Sequence, residues 1–203
     1  MAKAHFLEGI DPSTPLAAGR WGAATATAGV TMRRLGGLSI ASIVSAKGAA
    51  PAVIAAIEAA HGLAIVDRPE VCAGTGLCCV GTGPGKWLAV APRDDGEAFA
   101  DGLAAAVGAA ASVNDQSDGF VIFELAGARI RAALAKCLSI DLDPPAFVPG
   151  SAAATLLALV GVTLWQIDEA PVYHLCVGRS LTEAATRALA AAGAEYGFEL
   201  TLD

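Results

Sequence analysis

The sequence predicts an α+β fold in which helices cover one face of largely antiparallel sheets. Short segments rich in β-branched residues interleave with Ala-rich segments of helical periodicity along the 203-residue chain. Glycine and proline separate neighbouring apolar runs, which is typical of hairpins and so of antiparallel pairing. The order of strands and helices occurs twice, which predicts two pseudo-repeated halves, about 28–116 and 117–203.

The first 27 residues differ in composition from the rest. They are rich in Ala, Gly and Pro and show weak periodicity, which predicts an extended N-terminal arm. Such a segment usually needs another surface to order it. The remaining residues, 28–203, are predicted to form a single domain.

The first half is predicted to contain strands, a hairpin and two helices. Pro51 favours a helix start and Gly62 a helix stop. Asp94, Asp95 and Glu97 fall in the first turn of the second helix, where they suit the helix dipole. The predicted strands cover 29–34, 38–45, 77–81 and 86–91, the helices cover 50–62 and 94–108, and a polar turn covers 111–119.

The second half repeats this plan after a strand at 119–127. A capping box, Ser180 to Glu183, predicts the start of its last helix, and Gly193 predicts the end. The other elements are a helix at 128–137, a proline-rich connector at 141–150, strands at 152–160, 162–168 and 170–177, and a closing strand at 196–202.

Composition excludes several classes of protein. Hydrophobic residues make up 55% and charged residues 16%, so disorder is not expected, and a partner is expected to cover part of the surface. The net charge of −7 argues against nucleic-acid binding. Prolines break the uncharged run at 144–167, which predicts buried strands and no membrane span. The N-terminus has no secretory leader, so the protein is expected to be cytoplasmic.

The stretch 71–87, VCAGTGLCCVGTGPGKW, invites comparison with phosphate-binding loops. Such a loop needs glycine five places before Gly85, where the chain has Val80, and a hydroxyl after Lys86, where it has Trp87. The dinucleotide motif would need glycine where Cys79 stands. A hairpin turn is therefore predicted here, and a nucleotide site is the weaker alternative.

No other group gives a confident catalytic or metal-binding candidate. The five cysteines are predicted to be reduced thiols, and no Cys-x-x-Cys pair indicates zinc. His174 and Cys176 share a strand face, but a packed histidine is the favoured interpretation. Pairs of acidic residues such as Asp115 and Asp118 fall in predicted turns, where Asp commonly bonds its own backbone.

Several segments resemble the gamma subunit of heterotetrameric sarcosine oxidase. They are Asp115-Gln116-Ser117, the Leu-Ala-Lys run that begins at Leu134, the 141–150 connector with Phe147, and Thr155 on the next strand. The Gly-Pro-x-x-Trp-Leu element at 83–88 is similar as well. Cys137 and Asp143 depart from the family pattern, which often has glycine and histidine there. The matched order covers about 80–178.

The resemblance implies a fold and a role. The fold is that of the folate-binding portion of glycine-cleavage aminomethyltransferase, a duplicated pair of β-α-β units with exchanged strands. The role is that of a non-catalytic subunit with alpha, beta and delta partners. In such oxidases FAD, FMN, NAD, tetrahydrofolate and zinc lie on those partners, and no cofactor is assigned to gamma.

The same fold and the large aromatic residues give two further expectations. A stand-alone folate-dependent one-carbon transferase or folate-binding protein is the alternative function, because it would use the same fold. Trp87, Phe147 and Trp165 are expected to anchor either the core or a subunit contact, since large aromatic residues dominate both. Asp115 and Gln116 join them as structural or interface residues.

Overall fold

The computed structural model describes residues 15–92 and 96–202. In chain order the elements in this part of the chain are β1 (Gly19–Trp21), β2 (Val30–Leu35), β3 (Leu38–Ser45), α1 (Ala50–His61), β4 (Val71–Gly74), β5 (Leu77–Gly83), β6 (Lys86–Pro92), α2 (Gly96–Val107), β7 (Ala111–Asp115), β8 (Phe120–Ala126), α3 (Ile130–Leu134), β9 (Ala152–Leu157), β10 (Val160–Asp168), β11 (Val172–Gly178), α4 (Thr182–Gly193) and β12 (Phe198–Thr201).

The strands form two sheets. A five-stranded sheet has the order β4-β5-β6-β3-β7, and a seven-stranded sheet has the order β1-β12-β2-β8-β11-β10-β9. The neighbouring strands β12 and β2 are parallel, and the other neighbouring pairs among the described strands are antiparallel. The predicted α+β class with largely antiparallel sheets is confirmed.

Strands β2 and β7 are exchanged between the halves. β2 directly precedes β3 of the five-stranded sheet but pairs in the seven-stranded sheet, and β7 directly precedes β8 of the seven-stranded sheet but pairs in the five-stranded sheet. Thus β2 pairs with β8, and β7 pairs with β3. The exchange joins the two sheets by the chain itself, as the resemblance to the aminomethyltransferase fold implies.

Apolar side chains fill three layers. Helices α1 and α2 place Val53, Ile57 and Leu103 against the outer face of the five-stranded sheet. Helices α3 and α4 place residues such as Ile130 and Leu189 against the outer face of the seven-stranded sheet. A third cluster fills the space between the sheets. The period-two alternation of strand side chains makes this possible, because each sheet is apolar on both faces.

Several local predictions need correction. Residues 111–115 of the expected polar turn form strand β7, because pairing with β3 outweighs their polar composition. Helix α3 spans only Ile130–Leu134. The expected capping box does not cap α4, which has Leu181 at its N-cap and no side-chain cap hydrogen bond. The Glu183 carboxylate instead accepts a hydrogen bond from the Leu16 N–H at 2.9 Å.

The described part of the N-terminal arm lies on the domain. Leu16 is buried in the core beside α4, and β1 pairs with β12. The arm thus finds its ordering surface within its own chain for residues 15–27. Asp94 and Asp95, predicted for the first turn of α2, lie outside the described residues.

Candidate functional site

The two sheets enclose a cleft between their inner faces. Its floor is an apolar cluster that includes Ile40 and Leu88 of the five-stranded sheet and Ile122 and Trp165 of the seven-stranded sheet. The cluster divides the cleft into two cavities, one at each end. This cleft, which lies between the two sheets, is the natural candidate for a ligand site.

The larger cavity has a volume of about 540 Å³. Apolar side chains and hydroxyl groups line it, and none of its lining residues carries an ionised side chain at neutral pH. The lining residues are Ser42, Thr82, Trp87, Leu88, Phe120, Ala154, Thr155, Leu156, Gly161, Val162, Thr163 and Cys176. A ligand here would meet apolar contacts and hydroxyls but no carboxylate or cation.

The smaller cavity, about 370 Å³, lies at the other end beside Trp165, His174 and Cys78. The His174 ring meets the Trp165 ring edge-on, with 5.5 Å between centroids. Burial lowers the pKa of His174 below its ordinary value, outweighing Glu124, whose carboxylate lies 3.8 Å from Nε2 and raises it. The imidazole is therefore neutral at pH 7 and packed, as the sequence favoured.

The thiols in the cleft are poor nucleophiles. Burial raises the pKa of Cys176 to about 12. Burial, with a smaller effect of Cys72, raises that of Cys78 to about 11. Because the thiolate is the reactive species, both groups are inert thiols at neutral pH. A His174 and Cys176 dyad therefore lacks its thiolate nucleophile.

The stretch 71–87 forms strands and turns. Strands β5 and β6 pair across the Gly-Pro-Gly turn, so the predicted hairpin is confirmed. The Gly85 N–H, which a phosphate loop would offer to an anion, instead donates to Asp67 Oδ1 at 2.6 Å. Gly85 has φ of +64°, and a Cβ there would collide with Ser45 Oγ. An acidic side chain of the chain itself occupies the anion position.

The segment Asp115-Gln116-Ser117 links strands. Ser117 is buried, and its hydroxyl donates to Asp115 Oδ1 at 2.6 Å and accepts from the Ile40 N–H at 3.0 Å. The Ser117 N–H also donates to Asp115 Oδ1, as expected for an Asp that bonds its own backbone. The Gln116 N–H donates to the Ile40 carbonyl at 2.7 Å. These bonds fix the crossover from β7 to β8 against β3.

The three predicted aromatic anchors are buried within the chain, each in a different layer. Trp87 lies under α1 and α2, Phe147 lies in the core under α3 and α4, and Trp165 lies between the sheets. The Phe147 ring also lies 6.3 Å from that of Tyr173. The structure places the three in the core of this chain.

Sequence reasoning missed Asp67 and strand β4. Asp67 lies 18 residues before Gly85, whose N–H it binds, and no local sequence pattern predicts a hydrogen bond over that distance. For β4 a signal was present, because Gly74-Thr75-Gly76 separates two short apolar runs, which is typical of a hairpin. Cys72 and Cys79 lie opposite each other in that hairpin. Among the described residues, no group of three or more His, Cys, Asp or Glu side chains could hold a metal ion.

The comparisons with known proteins place the chain in a family. A family model described as "Sarcosine oxidase, gamma subunit family" matches residues 45–195. This chain belongs to that family. The sarcosine oxidase subunit gamma of Corynebacterium sp. (strain P-1) is 34% identical over 148 residues, 71% of each chain. The subunit gamma of an Arthrobacter species is 36% identical over 124 residues, and this alignment spans 60% of each protein.

Solved structures agree with the family assignment. A chain of the heterotetrameric sarcosine oxidase from Corynebacterium sp. U-96, in complex with pyrrole 2-carboxylate, superposes with a TM-score of 0.73 at 27% identity, covering 82% of this chain and 85% of that one. Aminomethyltransferase T of the Bartonella henselae glycine cleavage system superposes with a TM-score of 0.61 at 10% identity, covering 86% and 48%. The second match shows a shared fold. No helix in the described ranges is long and apolar enough to cross a membrane.

Proposed function

We propose that the chain acts as a non-catalytic gamma subunit of a heterotetrameric sarcosine oxidase. Such a complex oxidatively demethylates sarcosine to glycine and forms hydrogen peroxide with formaldehyde or methylene-tetrahydrofolate. The observation that carries the proposal is the family match over 45–195. The superposition on a chain of a heterotetrameric sarcosine oxidase supports it further.

The chemistry of the cleft supports a role without catalysis on this chain. General acid–base and nucleophilic catalysis need a group whose pKa suits proton transfer near the working pH. Burial keeps Cys176 and Cys78 protonated, and His174 is neutral and packed against Trp165. Besides the Cys176 thiol, the larger cavity is lined by apolar groups and hydroxyls.

The proposal places all cofactors on partner subunits. FAD, FMN, NAD, tetrahydrofolate and zinc would lie on the alpha, beta and delta subunits, and the complex would be cytoplasmic. The contribution of this chain would be to pack against its partners and hold them in an active arrangement. A closely packed core, largely of buried Leu, Ile, Val and Ala side chains, gives the chain the rigidity that this role needs.

The folate alternative fits the cleft less well. A folate carries a pterin ring with several hydrogen-bonding nitrogens and a tail with carboxylates. The larger cavity provides hydroxyls from Ser42, Thr82, Thr155 and Thr163, but no carboxylate for the pterin and no cation for the tail. The chain shares its fold with aminomethyltransferase T at 10% identity, and a shared fold at this identity does not imply a shared ligand.

Co-expression with the alpha, beta and delta subunits tests the proposal. Without this chain, the other subunits should fail to assemble, which size exclusion measures, or should turn over sarcosine poorly, which a peroxide-release assay measures. Adding the purified chain back should restore assembly. A complex that forms and turns over normally without this chain would contradict the proposal. Calorimetric titration of the isolated chain with tetrahydrofolate tests the alternative, and micromolar binding would support it.

A further inference from the structure

Three thiols lie on one hairpin, and their faces are set by strand geometry. Cys72 in β4 is directly opposite Cys79 in β5, and Ala73 is opposite Cys78. Opposed residues of an antiparallel pair project to the same face, whereas successive residues of one strand project to opposite faces. Cys72 and Cys79 therefore share the helix-facing side of the sheet, and Cys78 faces the cleft.

We propose that Cys72 and Cys79 form a redox-active dithiol that closes to a cross-strand disulfide when hydrogen peroxide oxidises it. Opposed residues in an antiparallel pair have Cα atoms roughly 4.5 to 5.5 Å apart. Disulfides span Cα separations of about 4.4 to 6.8 Å, so the register brings the pair within bonding range without moving the strands. A bond between the adjacent Cys78 and Cys79 would need both side chains on one face, which an extended strand forbids.

The exposure of the two thiols gives them different roles. Cys72 is half-buried and can meet a small oxidant, whereas Cys79 is fully buried behind it. Burial, with smaller effects of Cys78 and Cys72, raises the pKa of Cys79 to about 12. Cys79 is thus shielded from oxidant in solution, and its reaction is confined to the sulfenic sulfur of Cys72, which the strand register places directly opposite it. β4 is an edge strand of its sheet, so Cys72 lies at the side from which a small oxidant can approach.

The chemistry balances with peroxide as the oxidant. The Cys72 thiolate attacks one peroxide oxygen, so an S–O bond forms, the O–O bond breaks, and the departing hydroxide takes a proton to become water. The Cys79 sulfur then attacks the sulfenic sulfur, so an S–S bond forms, the S–O bond breaks, and a second water leaves with the Cys79 proton. Two thiols lose two electrons and two protons, and one peroxide becomes two waters. The site belongs to this chain alone and does not depend on the proposed function.

Thiol counting on the full-length chain tests the proposal. The native chain has five thiols, and brief treatment with hydrogen peroxide should leave three that react with an alkylating agent under denaturing conditions. Dithiothreitol should restore all five. Trypsin leaves Cys72, Cys78 and Cys79 in one peptide, residues 48–86, because Pro69 protects the bond after Arg68. The mass of this peptide does not show which two of its three cysteines are bonded. In the Cys78→Ser variant only Cys72 and Cys79 remain in the peptide, and peroxide treatment should still lower its mass by two hydrogens.

Matched variants separate this pair from the alternatives. Cys72→Ser should keep its remaining thiols under the same treatment, whereas Cys137→Ser should lose two thiols as the native chain does. A Cys78→Ser chain that keeps all its thiols would overturn the proposal. A Cys72→Ser chain that still forms a dithiothreitol-reversible bond within 48–86 would also overturn it. The same holds if the only mass change of the native 48–86 peptide is the addition of oxygen. All three serine variants replace half-buried residues, and circular dichroism before oxidation verifies that each variant is folded.

Discussion

Asp67 holds the Gly-Pro-Gly turn of the β5–β6 hairpin, because its Oδ1 accepts a hydrogen bond from the Gly85 N–H at 2.6 Å. This hydrogen bond fixes the turn in a stretch whose Gly-Lys pair invites comparison with phosphate-binding loops. The amide that could have met an anion is already bonded to a carboxylate. An incoming phosphate would have to displace Asp67 and meet its negative charge.

Removing this carboxylate should destabilise the chain. Asp67→Ala should lower the free energy of unfolding by about 1–3 kcal/mol, because the Gly85 N–H loses a charge-assisted bond. Asp67→Asn keeps an oxygen acceptor and should lose less. Urea denaturation of both variants measures the difference. An Asp67→Ala chain as stable as the native one would contradict the assignment.

Substitution of phenylalanine for each of the two buried tryptophans should lower the free energy of unfolding by different amounts. The Trp87 indole N–H donates to the Val66 carbonyl at 2.8 Å, whereas the Trp165 indole N–H is buried with no partner among the described residues. Trp87→Phe therefore leaves a carbonyl unpaired, and Trp165→Phe removes an unpaired donor. We expect Trp87→Phe to cost about 1–2 kcal/mol more stability than Trp165→Phe.

Equilibrium denaturation in urea measures both variants under the same conditions. The comparison is matched, since both side chains are almost fully buried, at 2% and 1% exposure. Both substitutions also remove the same volume, so the cavity cost is similar. Equal losses would show that the indole hydrogen bond contributes little.

Stability should fall as the pH drops through the His174 titration. Burial is the main cause that lowers the pKa of His174 below 6.5, so the unfolded chain binds this proton at a higher pH than the folded chain does. The free energy of unfolding should therefore decrease as pH falls through 6.5, until the lower folded-state pKa is passed. The slope in this window is at most about 1.4 kcal/mol per pH unit.

Two histidine variants isolate this effect. His174→Gln should flatten the pH dependence of unfolding in that window, and His61→Gln, at an exposed position, is the matched control for the substitution. Denaturation series between pH 7.5 and pH 5, with NMR titration of the imidazole resonances, provide the measurement. A His174 resonance that titrates above 6.5 would contradict the sign.

The tip of the β9–β10 hairpin is a candidate contact for a partner subunit. Leu159 is 93% exposed, while Ala158 has φ of +54° and its N–H donates to the Cys137 carbonyl at 2.6 Å. A left-handed alanine costs about 1–2 kcal/mol, so the tip is held in shape while it displays an apolar side chain. If this tip is a hot spot, Leu159→Ser should weaken assembly with the other oxidase subunits tenfold or more.

The isolated Leu159→Ser chain should keep its stability within about 0.5 kcal/mol, because the side chain contacts little of its own fold. Leu181→Ser, at a half-exposed position before α4, provides the control and should assemble normally. Size exclusion of reconstituted complexes over a dilution series reads both. Normal assembly of Leu159→Ser would remove this hairpin from the interface.

Local sequence signals placed most of the elements. The predicted strand at 38–45 coincides with β3, and Gly62 ends α1 as the sequence predicts, in the left-handed conformation. The polar segment at 111–115 was misassigned, because its strand exists through pairing with β3, some 70 residues earlier. The capping box failed for a similar reason, since Glu183 bonds Leu16 from the other end of the chain.

The sequence by itself determined the α+β class, the hairpin at 77–91, and the absence of a phosphate-loop pattern, since these depend on periodicity and on residue types at fixed spacing. Only the tertiary structure decided that β2 and β7 change sheets, that Asp67 closes the Gly85 turn, and that Cys72 faces Cys79. The physical reason is that each of these contacts joins residues distant in sequence or depends on strand register. Register is set by which faces the whole fold buries, and no short stretch of sequence encodes that.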